Sequence, residues 1–296
     1  MQSLAVVLDK PEHLSLRALE LSEPGSADLV VDIEFSGVST GTERLLWSGR
    51  MPAFPGMGYP LVPGYESVGR VTLPDAAGVF ATGQRVFVPG ASCFGPVRGL
   101  FGGTASRLVV PASRAVAVDE AAGPETILLA LAATAHHALT APGARPPELI
   151  IGHGVLGRLL ARLSLALGGP PPVVWEHACE RQGGGVGYAV IEPRSDECFD
   201  YHSVYDVSGD ASLVDGLLER LSPLGHGELV LAGFYAEPIR FDFVKGFMRE
   251  ARLRIAAQWR REDLNAVNGL VASGRLSLDG LITHRAAAAE AADAYR

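Results

Sequence analysis

The stretch ELIIGHGVLGRLLARLSLAL, residues 148–167, decides the fold of this chain. It begins with a short apolar run that is typical of a buried strand in a parallel sheet. A turn with three glycines follows, and then leucines recur at helical spacing from Leu156 to Leu167, on one face of a helix. The order of strand, glycine turn and amphipathic helix predicts the first unit of a dinucleotide-binding fold.

Each glycine of this turn has a separate expected task. Gly152 permits the tight turn, Gly154 leaves room for a pyrophosphate beside the backbone, and Gly157 lets the helix pack close to the strand. The following residues, Val155 and Leu156, are expected to offer free backbone N–H groups to the anion at the positive end of the helix. An ordinary strand-to-helix turn is the alternative interpretation.

An acidic residue ends the next apolar run, VVWE at residues 173–176. The carboxylate of Glu176 is expected to accept hydrogen bonds from both ribose hydroxyls and to repel a 2′-phosphate, which favours NAD over NADP. A solvated loop acid is the alternative. His153 occupies a variable position between two glycines and is predicted to be exposed.

Two later strands end in the segments DVSG (206–209) and GFY (233–235). Ligands of this fold bind at the carboxyl ends of the strands, so both segments are predicted to line the cofactor cleft. The residues predicted there are Ser208, Gly209, Gly233 and Phe234.

Composition and charge exclude several kinds of partner. The 296-residue chain carries 25 Lys and Arg against 33 Asp and Glu, a formal net charge of -8, which disfavours nucleic acid. None of the three cysteines lies in a CxxC pair, so a reducing cytoplasm is expected. We recognise neither a signal peptide nor an apolar run long enough to span a membrane.

The character of the chain changes along its length. Residues 1–120 are predicted as strands and turns, and the Gly- and Pro-rich segment 36–63 as an ordered loop without helix or sheet. Residues 121–274 alternate short strands with helices, which indicates an α/β doubly wound parallel sheet. Residues 275–296 are assigned to the first, β-rich domain.

A β-rich domain ahead of a dinucleotide-binding domain resembles the medium-chain dehydrogenase/reductase superfamily along the whole chain. The resemblance implies a GroES-like catalytic domain, a Rossmann domain and a possible homodimer. Where zinc alcohol dehydrogenases of that superfamily carry a Cys and a His, this sequence has Ser39 or Thr40 and Tyr65, and residues 133–137 contain no Cys. The resemblance therefore implies no zinc site.

Longer stretches are similar to one zinc-independent branch of the superfamily: VSTGTERLLWSGRMPAFPGMGYPLVPGYESVGRV (38–71), LFGGTASRLVVPASR (100–114), LALAATAHHALTAPG (129–143) and FMREARLRIAAQWR (247–260). That branch oxidises the C3 1-hydroxyethyl group of a bacteriochlorophyllide a precursor to a 3-acetyl group in bacteriochlorophyll a biosynthesis. The resemblance implies an NAD-dependent alcohol dehydrogenase with a tetrapyrrole substrate. It also implies that this sequence stops inside a helix that a last strand usually follows.

Two other functions remain as alternatives. A zinc-independent quinone or enone reductase would take hydride from NADPH, and Glu176 argues against it. A non-catalytic NAD-binding protein would bind the cofactor without oxidising a hydroxyethyl group.

Without zinc, other groups must hold the substrate oxygen and remove its proton. The candidates are hydroxyls that hydrogen-bond the oxygen and groups that relay the proton, namely Ser39, Thr40, Tyr65, Glu43, Glu66 and His137. Turn capping by the Ser39 and Thr40 hydroxyls, core packing of Tyr65 and backbone hydrogen bonding by Glu66 are the alternatives. His136 and His137 are adjacent on one predicted helix, so we expect them to face different ways.

Overall fold

The apolar run before the glycine turn forms a central strand in the computed structural model, which describes residues 1–256 and 258–295. The chain divides into two compact units, one formed by Met1–Ala130 and Ile282–Arg296 and the other by Leu131–Leu281. Among the described residues no helix is both long enough and apolar enough to cross a membrane.

The predicted domain boundaries, after residues 120 and 274, fall earlier in the chain than the boundaries of these units. Arg162 explains the second difference, because its guanidinium donates 2.9 Å hydrogen bonds to the carbonyl oxygens of Ser277 and Asp279. These bonds hold that segment in the second unit. The catalytic and cofactor-binding roles of the two units stay predictions.

The elements of the first part of the chain are β1 (Gln2–Lys10), β2 (His13–Glu20), β3 (Asp28–Ser36), α1 (Thr42–Ser48), β4 (Leu61–Val62), β5 (Ser67–Leu73), β6 (Arg85–Val88), β7 (Arg98–Gly99), β8 (Arg107–Pro111) and β9 (Val116–Ala117). They are followed by α2 (Leu129–Thr140), β10 (Leu149–Ile151), α3 (Val155–Ala166), β11 (Val173–Trp175), β12 (Ala189–Ile191), β13 (Ser203–Asp206), α4 (Val214–Arg220), β14 (Glu228–Leu231), α5 (Phe243–Arg249), β15 (Arg252–Ile255), α6 (Arg261–Ala272) and α7 (Ala291–Tyr295).

The second unit contains a six-stranded sheet in the order β12-β11-β10-β13-β14-β15, and every neighbouring pair is parallel. Its four central strands, β11, β10, β13 and β14, are short and mostly buried because helices cover a parallel sheet on both faces. Numbered along the chain, the strands follow the order 3-2-1-4-5-6 of a doubly wound dinucleotide fold. The strand order reverses direction at β10, so the loop after β10 lies at the switch point where such folds bind ligands.

The first unit contains two sheets, β2-β1-β4-β7 and β8-β3-β5-β6-β9. Strands of both sheets contribute to one hydrophobic core, with Ala5 and Val7 from β1 and with Leu29, Val31 and Val86 from the larger sheet, all at most 2% exposed. This unit is therefore a β-rich domain with a core of its own.

The prediction of a loop without helix or sheet over residues 36–63 is wrong, because the segment contains the short strand β4 and the helix α1. The sequence of α1, TERLLWS, contains neither Gly nor Pro, and the helix presents Glu43 and Leu46 to the interior. The helix ends at Gly49, whose φ of +69° is the left-handed conformation that favours glycine at a helix end. The glycines and prolines therefore bound the helix rather than exclude it.

Candidate active site

The glycine turn after β10 has the geometry that its sequence predicts. A Cβ on Gly157 would lie 1.9 Å from the carbonyl oxygen of Gly152, so only glycine allows α3 to approach the strand this closely. A Cβ on Gly154 would meet no atom within 4 Å, and this exposed residue borders open space beside the first turn of α3. These features fit an anion next to the helix N-terminus. The cofactor contacts of Val155 and Leu156 stay predictions.

Glu176 follows β11 directly, and its side chain is 3% exposed. Its Oε1 accepts a 2.9 Å hydrogen bond from the backbone N–H of Ala178, and its Oε2 accepts a 3.2 Å bond from the backbone N–H of His153. Burial alone would raise the pKa of Glu176, but these backbone donors and the nearby Arg181 hold it below its usual value. Glu176 is thus an ionised, partnered carboxylate rather than a solvated loop acid.

The prediction that His153 is exposed is wrong, because its side chain is completely buried. Its Nδ1 lies 2.6 Å from the carbonyl oxygen of Arg181, and its Nε2 lies 2.9 Å from the hydroxyl of Tyr188. The glycine motif accepts any residue at this position. It therefore does not predict that the carbonyl oxygen of Arg181 and the hydroxyl of Tyr188 contact the side chain of His153.

The segments after β13 and β14 contact each other at the carboxyl end of the sheet. A Cβ on Gly209, where φ is +72°, would lie 2.7 Å from the carbonyl oxygen of Phe234, and a Cβ on Gly233 would lie 3.1 Å from the nitrogen of Gly209. The two glycines therefore serve close packing of the loops. Ser208 and Phe234 are exposed at the same edge, where the fold binds its ligands, and their cofactor contacts stay predictions.

Asp206 and Tyr235 lie in these two predicted segments and join them, although neither side chain was predicted individually as a site residue. The hydroxyl of Tyr235 donates a 2.7 Å hydrogen bond to Oδ2 of Asp206, and the backbone N–H of Ser208 donates a 2.8 Å bond to Oδ1. Burial raises the pKa of Asp206 above its usual value. The signal for this pair is that Asp206 ends β13 and Tyr235 follows the neighbouring parallel strand β14.

In the first unit the structure brings three of the candidate catalytic residues together. The Ser39 hydroxyl donates a hydrogen bond to Oε2 of Glu43, and the Tyr65 hydroxyl donates to Oγ of Ser39 across 3.3 Å. The Tyr65 ring packs edge-on against Phe101, with ring centroids 5.4 Å apart. The ring of the half-buried Tyr65 therefore packs against another side chain, as the alternative of core packing requires. Its hydroxyl also hydrogen-bonds to the Ser39–Glu43 pair.

Glu43 is the most deeply buried member of this cluster, with 1% of its side chain exposed. Burial raises the pKa of Glu43 from its ordinary value of 4.5 to about 7, although the hydrogen bond from Ser39 opposes this shift. Its Oε1 is buried and accepts no hydrogen bond among the described residues. A carboxyl group with a pKa near neutrality can accept and release a proton at the pH of the cell.

Tyr295 on α7 is a buried residue near Glu43 that was not predicted from the sequence. It is 6% exposed, and its ring centroid lies 6.4 Å from that of Trp47 on α1. Burial raises the pKa of Tyr295, and the negative charge of Glu43 raises it further. Among the described residues its hydroxyl makes no hydrogen bond of regular geometry, although the side chain of Thr104 is close enough to oppose the rise of its pKa. The only available signal was a lone aromatic residue in an alanine-rich tail.

The remaining candidates lie apart from these hydrogen bonds. Thr40 is exposed. Glu66 is buried beside Gly37, where a Cβ would lie 2.8 Å from Glu66 Oε2, and the backbone N–H of Gly37 donates a 2.7 Å bond to the carbonyl oxygen of Glu66. The negative charge of Glu66 helps to raise the pKa of Tyr65 after the larger effects of burial and Glu43.

His137 belongs to the second unit, where it shares a carboxylate with its neighbour. Nδ1 of His136 lies 2.8 Å from Oδ1 of Asp263, and Nδ1 of His137 lies 2.9 Å from Oδ2. The expectation that these adjacent histidines face different ways is wrong, because both rings contact the carboxylate of Asp263 on α6, one at each oxygen. The ring nitrogen of His137 is therefore engaged by Asp263, and its role as a proton relay stays a prediction.

The donor atoms near Ser39 do not fit a zinc ion. Zinc takes thiolate, imidazole or carboxylate ligands, usually four in tetrahedral array. Where the zinc enzymes have a Cys and a His, this chain has the hydroxyl groups of Ser39 and Tyr65, which are hydrogen-bonded to each other. Over residues 1–256 and 258–295, no group of three His, Cys, Asp or Glu side chains is arranged to hold a metal ion.

Two curated proteins match this chain over its whole length. It is 56% identical over 302 residues to the 2-desacetyl-2-hydroxyethyl bacteriochlorophyllide A dehydrogenase of Cereibacter sphaeroides, covering 100% of this chain and 94% of that protein. The protein of the same name from Rhodobacter capsulatus is 56% identical over 299 residues, again covering 100% and 94%. No protein-family model matches the chain.

The fold also matches solved structures. A protein from Sinorhizobium meliloti 1021, crystallised with NADP, aligns with a TM-score of 0.83 and 23% identity over 100% of this chain and 95% of that chain. At this identity the likeness shows the fold alone. The predicted fold class, a Rossmann sheet with a GroES-like β-rich domain, is confirmed. By its identity to the two curated relatives, the chain belongs to the 2-desacetyl-2-hydroxyethyl bacteriochlorophyllide A dehydrogenase family of the medium-chain dehydrogenase/reductase superfamily.

Proposed function

We propose that this chain oxidises the C3 1-hydroxyethyl group of a bacteriochlorophyllide a precursor to a 3-acetyl group, as an NAD-dependent alcohol dehydrogenase. The observation that carries the proposal is the 56% identity over the whole chain to two dehydrogenases named for this substrate. The dinucleotide fold and the hydrogen-bonded Ser39–Glu43–Tyr65 cluster support the same reaction class.

In the proposed reaction the carbinol carbon loses a hydride, its hydroxyl loses a proton, and a carbonyl group forms. A nicotinamide dinucleotide held at the glycine turn of residues 152–157 would supply the hydride acceptor. Ser39 already directs its own proton to Glu43, so its Oγ can accept a proton from the substrate hydroxyl as Glu43 receives the serine proton. The Tyr65 hydroxyl donates to the same Oγ and stabilises negative charge that develops there.

Two buried oxygen atoms beside this pair provide further hydrogen-bonding capacity. Among the described residues Glu43 Oε1 and the Tyr295 hydroxyl make no hydrogen bond of regular geometry, and burying such atoms poorly paired is unfavourable. A substrate oxygen or a water molecule that bonds them would remove that penalty. We include Tyr295 in the candidate active site for this reason.

The choice of NAD over NADP rests on Glu176 in this proposal. Its carboxylate is ionised and lies directly after β11, the position where this fold meets the adenosine ribose. A 2′-phosphate next to that charge would be repelled. The guanidinium of Arg181 lies 3.4 Å from Glu176 Oε1 and reduces this repulsion. It does not reverse the repulsion, because its positive charge is already paired with the Glu176 carboxylate.

The reaction is zinc-independent in this proposal, since hydroxyls replace two of the expected zinc ligands.

A tetrapyrrole is bulky and apolar, and the first unit has an apolar segment that suits such a substrate. Trp47, Met57 and Tyr59 pack on the cluster around Leu46, while Phe54 remains 36% exposed.

We also propose a homodimer, formed through α5 and the edge strand β15 of the second unit. Large apolar side chains are exposed on both elements: Phe243 (71%), Val244 (60%), Phe247 (64%), Met248 (68%) and Ile255 (77%). Exposed apolar groups of this size and an open strand edge favour pairing with another chain.

The direct test is to incubate the protein with 3-(1-hydroxyethyl) bacteriochlorophyllide a and NAD and to follow pigment absorption together with NADH formation. We expect both signals to appear in equal amounts, to be weaker with NADP, and to survive treatment with a chelator. NADH formation that is lost with the chelator and restored by zinc would contradict the zinc-independent reaction. Binding of NAD without any pigment oxidation would favour a non-catalytic protein.

A further inference from the structure

His153 occupies an unusual place for a titratable side chain, since it lies inside the glycine turn and is completely buried. Its two ring nitrogens have different partners, the carbonyl oxygen of Arg181 at 2.6 Å and the hydroxyl of Tyr188 at 2.9 Å. The rings of His153 and Tyr188 meet edge-on, with centroids 5.6 Å apart and an interplanar angle of 81°. The side chain therefore connects the turn to the segment between β11 and β12.

The partners determine the protonation of the ring. A carbonyl oxygen only accepts, so Nδ1 carries the proton that it shares with Arg181. Burial lowers the pKa of His153, which favours the neutral ring, and Nε2 then accepts a hydrogen bond from the Tyr188 hydroxyl. One ring thus pairs with one acceptor and one donor of the segment between β11 and β12.

The main chain of His153 is bound at the same point. Its N–H donates a 3.2 Å hydrogen bond to Oε2 of Glu176, and its carbonyl oxygen accepts a 3.1 Å bond from Nε of Arg158. Nη2 of Arg158 also donates a 2.9 Å bond to the carbonyl oxygen of Gly183. The glycine turn, the carboxylate after β11 and the following segment are therefore linked through one residue.

We propose that His153, with Tyr188 as its partner, is a positioning residue for the adenosine diphosphate half of the bound dinucleotide. This inference rests on the proposed function, because it assumes that the glycine turn holds the pyrophosphate. His153 fixes the turn relative to Glu176 and to the segment that ends at Tyr188, so these groups are in place before the ligand arrives. Groups that are already ordered lose less conformational freedom when they bind a ligand.

The test uses three variants of the full chain and one control. His153→Ala removes both ring contacts, His153→Asn keeps an N–H donor at the position of Nδ1, and Tyr188→Phe removes a single hydroxyl from a half-buried side chain. His202→Ala is the matched control, because this exposed histidine lies just before β13, at the opposite end of the same sheet.

The measurements are the Kd values of NAD and of ADP-ribose by calorimetry, with KM for NAD and kcat at saturating NAD. In His153→Ala we expect both Kd values and KM to rise about tenfold, the equivalent of about one lost net hydrogen bond. His153→Asn is expected to recover part of the affinity, and Tyr188→Phe to weaken it less than His153→Ala does. kcat at saturating NAD should stay unchanged, and His202→Ala should match the wild type.

Unchanged ADP-ribose affinity in both His153→Asn and Tyr188→Phe would overturn the inference, even if His153→Ala fails to fold. A loss of kcat with unchanged KM would overturn it as well, since a residue acting on the adenosine half affects binding. If the wild-type protein binds neither NAD nor ADP-ribose, the proposed function fails first and the inference fails with it. Wild-type binding with unaffected variants refutes the inference alone.

Discussion

Ser39 and Glu43 are hydrogen-bonded twice, since both the hydroxyl and the backbone N–H of Ser39 donate to Oε2 of the glutamate, the latter at 3.1 Å. The turn that begins α1 thereby fixes the direction of the Ser39 proton. The lone pairs of Ser39 Oγ remain for other donors, and the Tyr65 hydroxyl is one of them. A proton that arrives at Ser39 from a substrate hydroxyl therefore has a defined acceptor in Glu43.

The first prediction concerns the pH dependence of the reaction in Glu43→Gln. Wild-type kcat/KM should rise with pH through about 7, the pKa to which burial raises Glu43, because only the ionised carboxylate accepts a proton. Glutamine cannot accept it, so we expect kcat/KM to fall about 100-fold and the pH step near neutrality to disappear. Initial rates of pigment oxidation between pH 5 and 9 check this.

The pH dependence of the folding stability of Glu43→Gln is a control for this prediction, because the raised pKa of Glu43 fixes the direction in which wild-type stability changes with pH. The pKa of Glu43 is higher in the folded chain, about 7, than its ordinary 4.5, so the folded state binds more protons between these values. Its stabilising contribution is complete below pH 4.5 and is lost as pH rises to about 7, a change of about 3 kcal/mol. Glu43→Gln should remove this loss in thermal unfolding scans. An activity profile that keeps its step in the variant would exclude Glu43 as the proton acceptor.

The second prediction separates Ser39 from its neighbour Thr40. Ser39→Ala removes the hydroxyl that connects Tyr65 with Glu43, and we expect kcat to fall about 100-fold, within the usual contribution of a positioned proton-transfer group. Thr40→Ala removes an exposed hydroxyl and should leave kcat unchanged. Steady-state kinetics of both variants check this, and equal losses in the two would refute the assignment of Ser39.

Local sequence patterns predicted the dinucleotide unit well because its elements follow from short-range rules. The apolar run, the glycine turn and the leucine spacing predict a strand and a helix, and α3 begins at Val155 and buries Leu159, Leu160 and Leu163 as that spacing requires. At the end of the helix the pattern fails, since Leu167 is 43% exposed. The helix ends one residue earlier, so Leu167 no longer lies on its buried face.

Partners that are distant in the sequence were not predictable in the same way. Tyr295 reaches the neighbourhood of Glu43 from the other end of the chain, and a sequence pattern contains no information on that approach. His153 was assigned to solvent because its position in the motif accepts any residue, whereas Tyr188 and Arg181 enclose it. In both cases the tertiary contacts, rather than the local sequence, determine the burial of the side chain.

The third prediction compares two glycines of the same turn. Gly154→Val should fold, because a Cβ there meets no atom within 4 Å, but the added methyl groups should block the pyrophosphate and raise the Kd of NAD at least about 100-fold. Gly157→Ala should instead reduce thermal stability, because its Cβ would lie 1.9 Å from the Gly152 carbonyl oxygen. Calorimetry and thermal unfolding measure both effects. Undiminished NAD affinity in Gly154→Val would place the pyrophosphate elsewhere.

The fourth prediction concerns the choice between NAD and NADP. Glu176→Gln removes the charge and keeps one acceptor oxygen, enough for one of the two N–H groups of His153 and Ala178 that bond to separate carboxylate oxygens, so we expect the preference for NAD to fall about tenfold. Glu176→Ala also leaves those N–H groups without an acceptor and should lose about 1–3 kcal/mol of stability in addition. The ratio of kcat/KM for the two cofactors is the measurement. An unchanged ratio in Glu176→Gln would show that another group excludes the 2′-phosphate.

The last prediction tests the proposed homodimer at α5. Phe247 is 64% exposed on a helix whose other large apolar residues are also exposed, and its ring centroid lies 5.7 Å from that of Phe243. An aspartate at this position would place a charge in an apolar interface, so Phe247→Asp should convert the dimer to a monomer at micromolar concentration. Val79→Asp is the matched control, because Val79 is 65% exposed in the first unit. Light scattering after size exclusion gives the masses, and a wild-type mass equal to that of one chain would reject the homodimer. If both variants remain dimeric, the chains associate through a different surface.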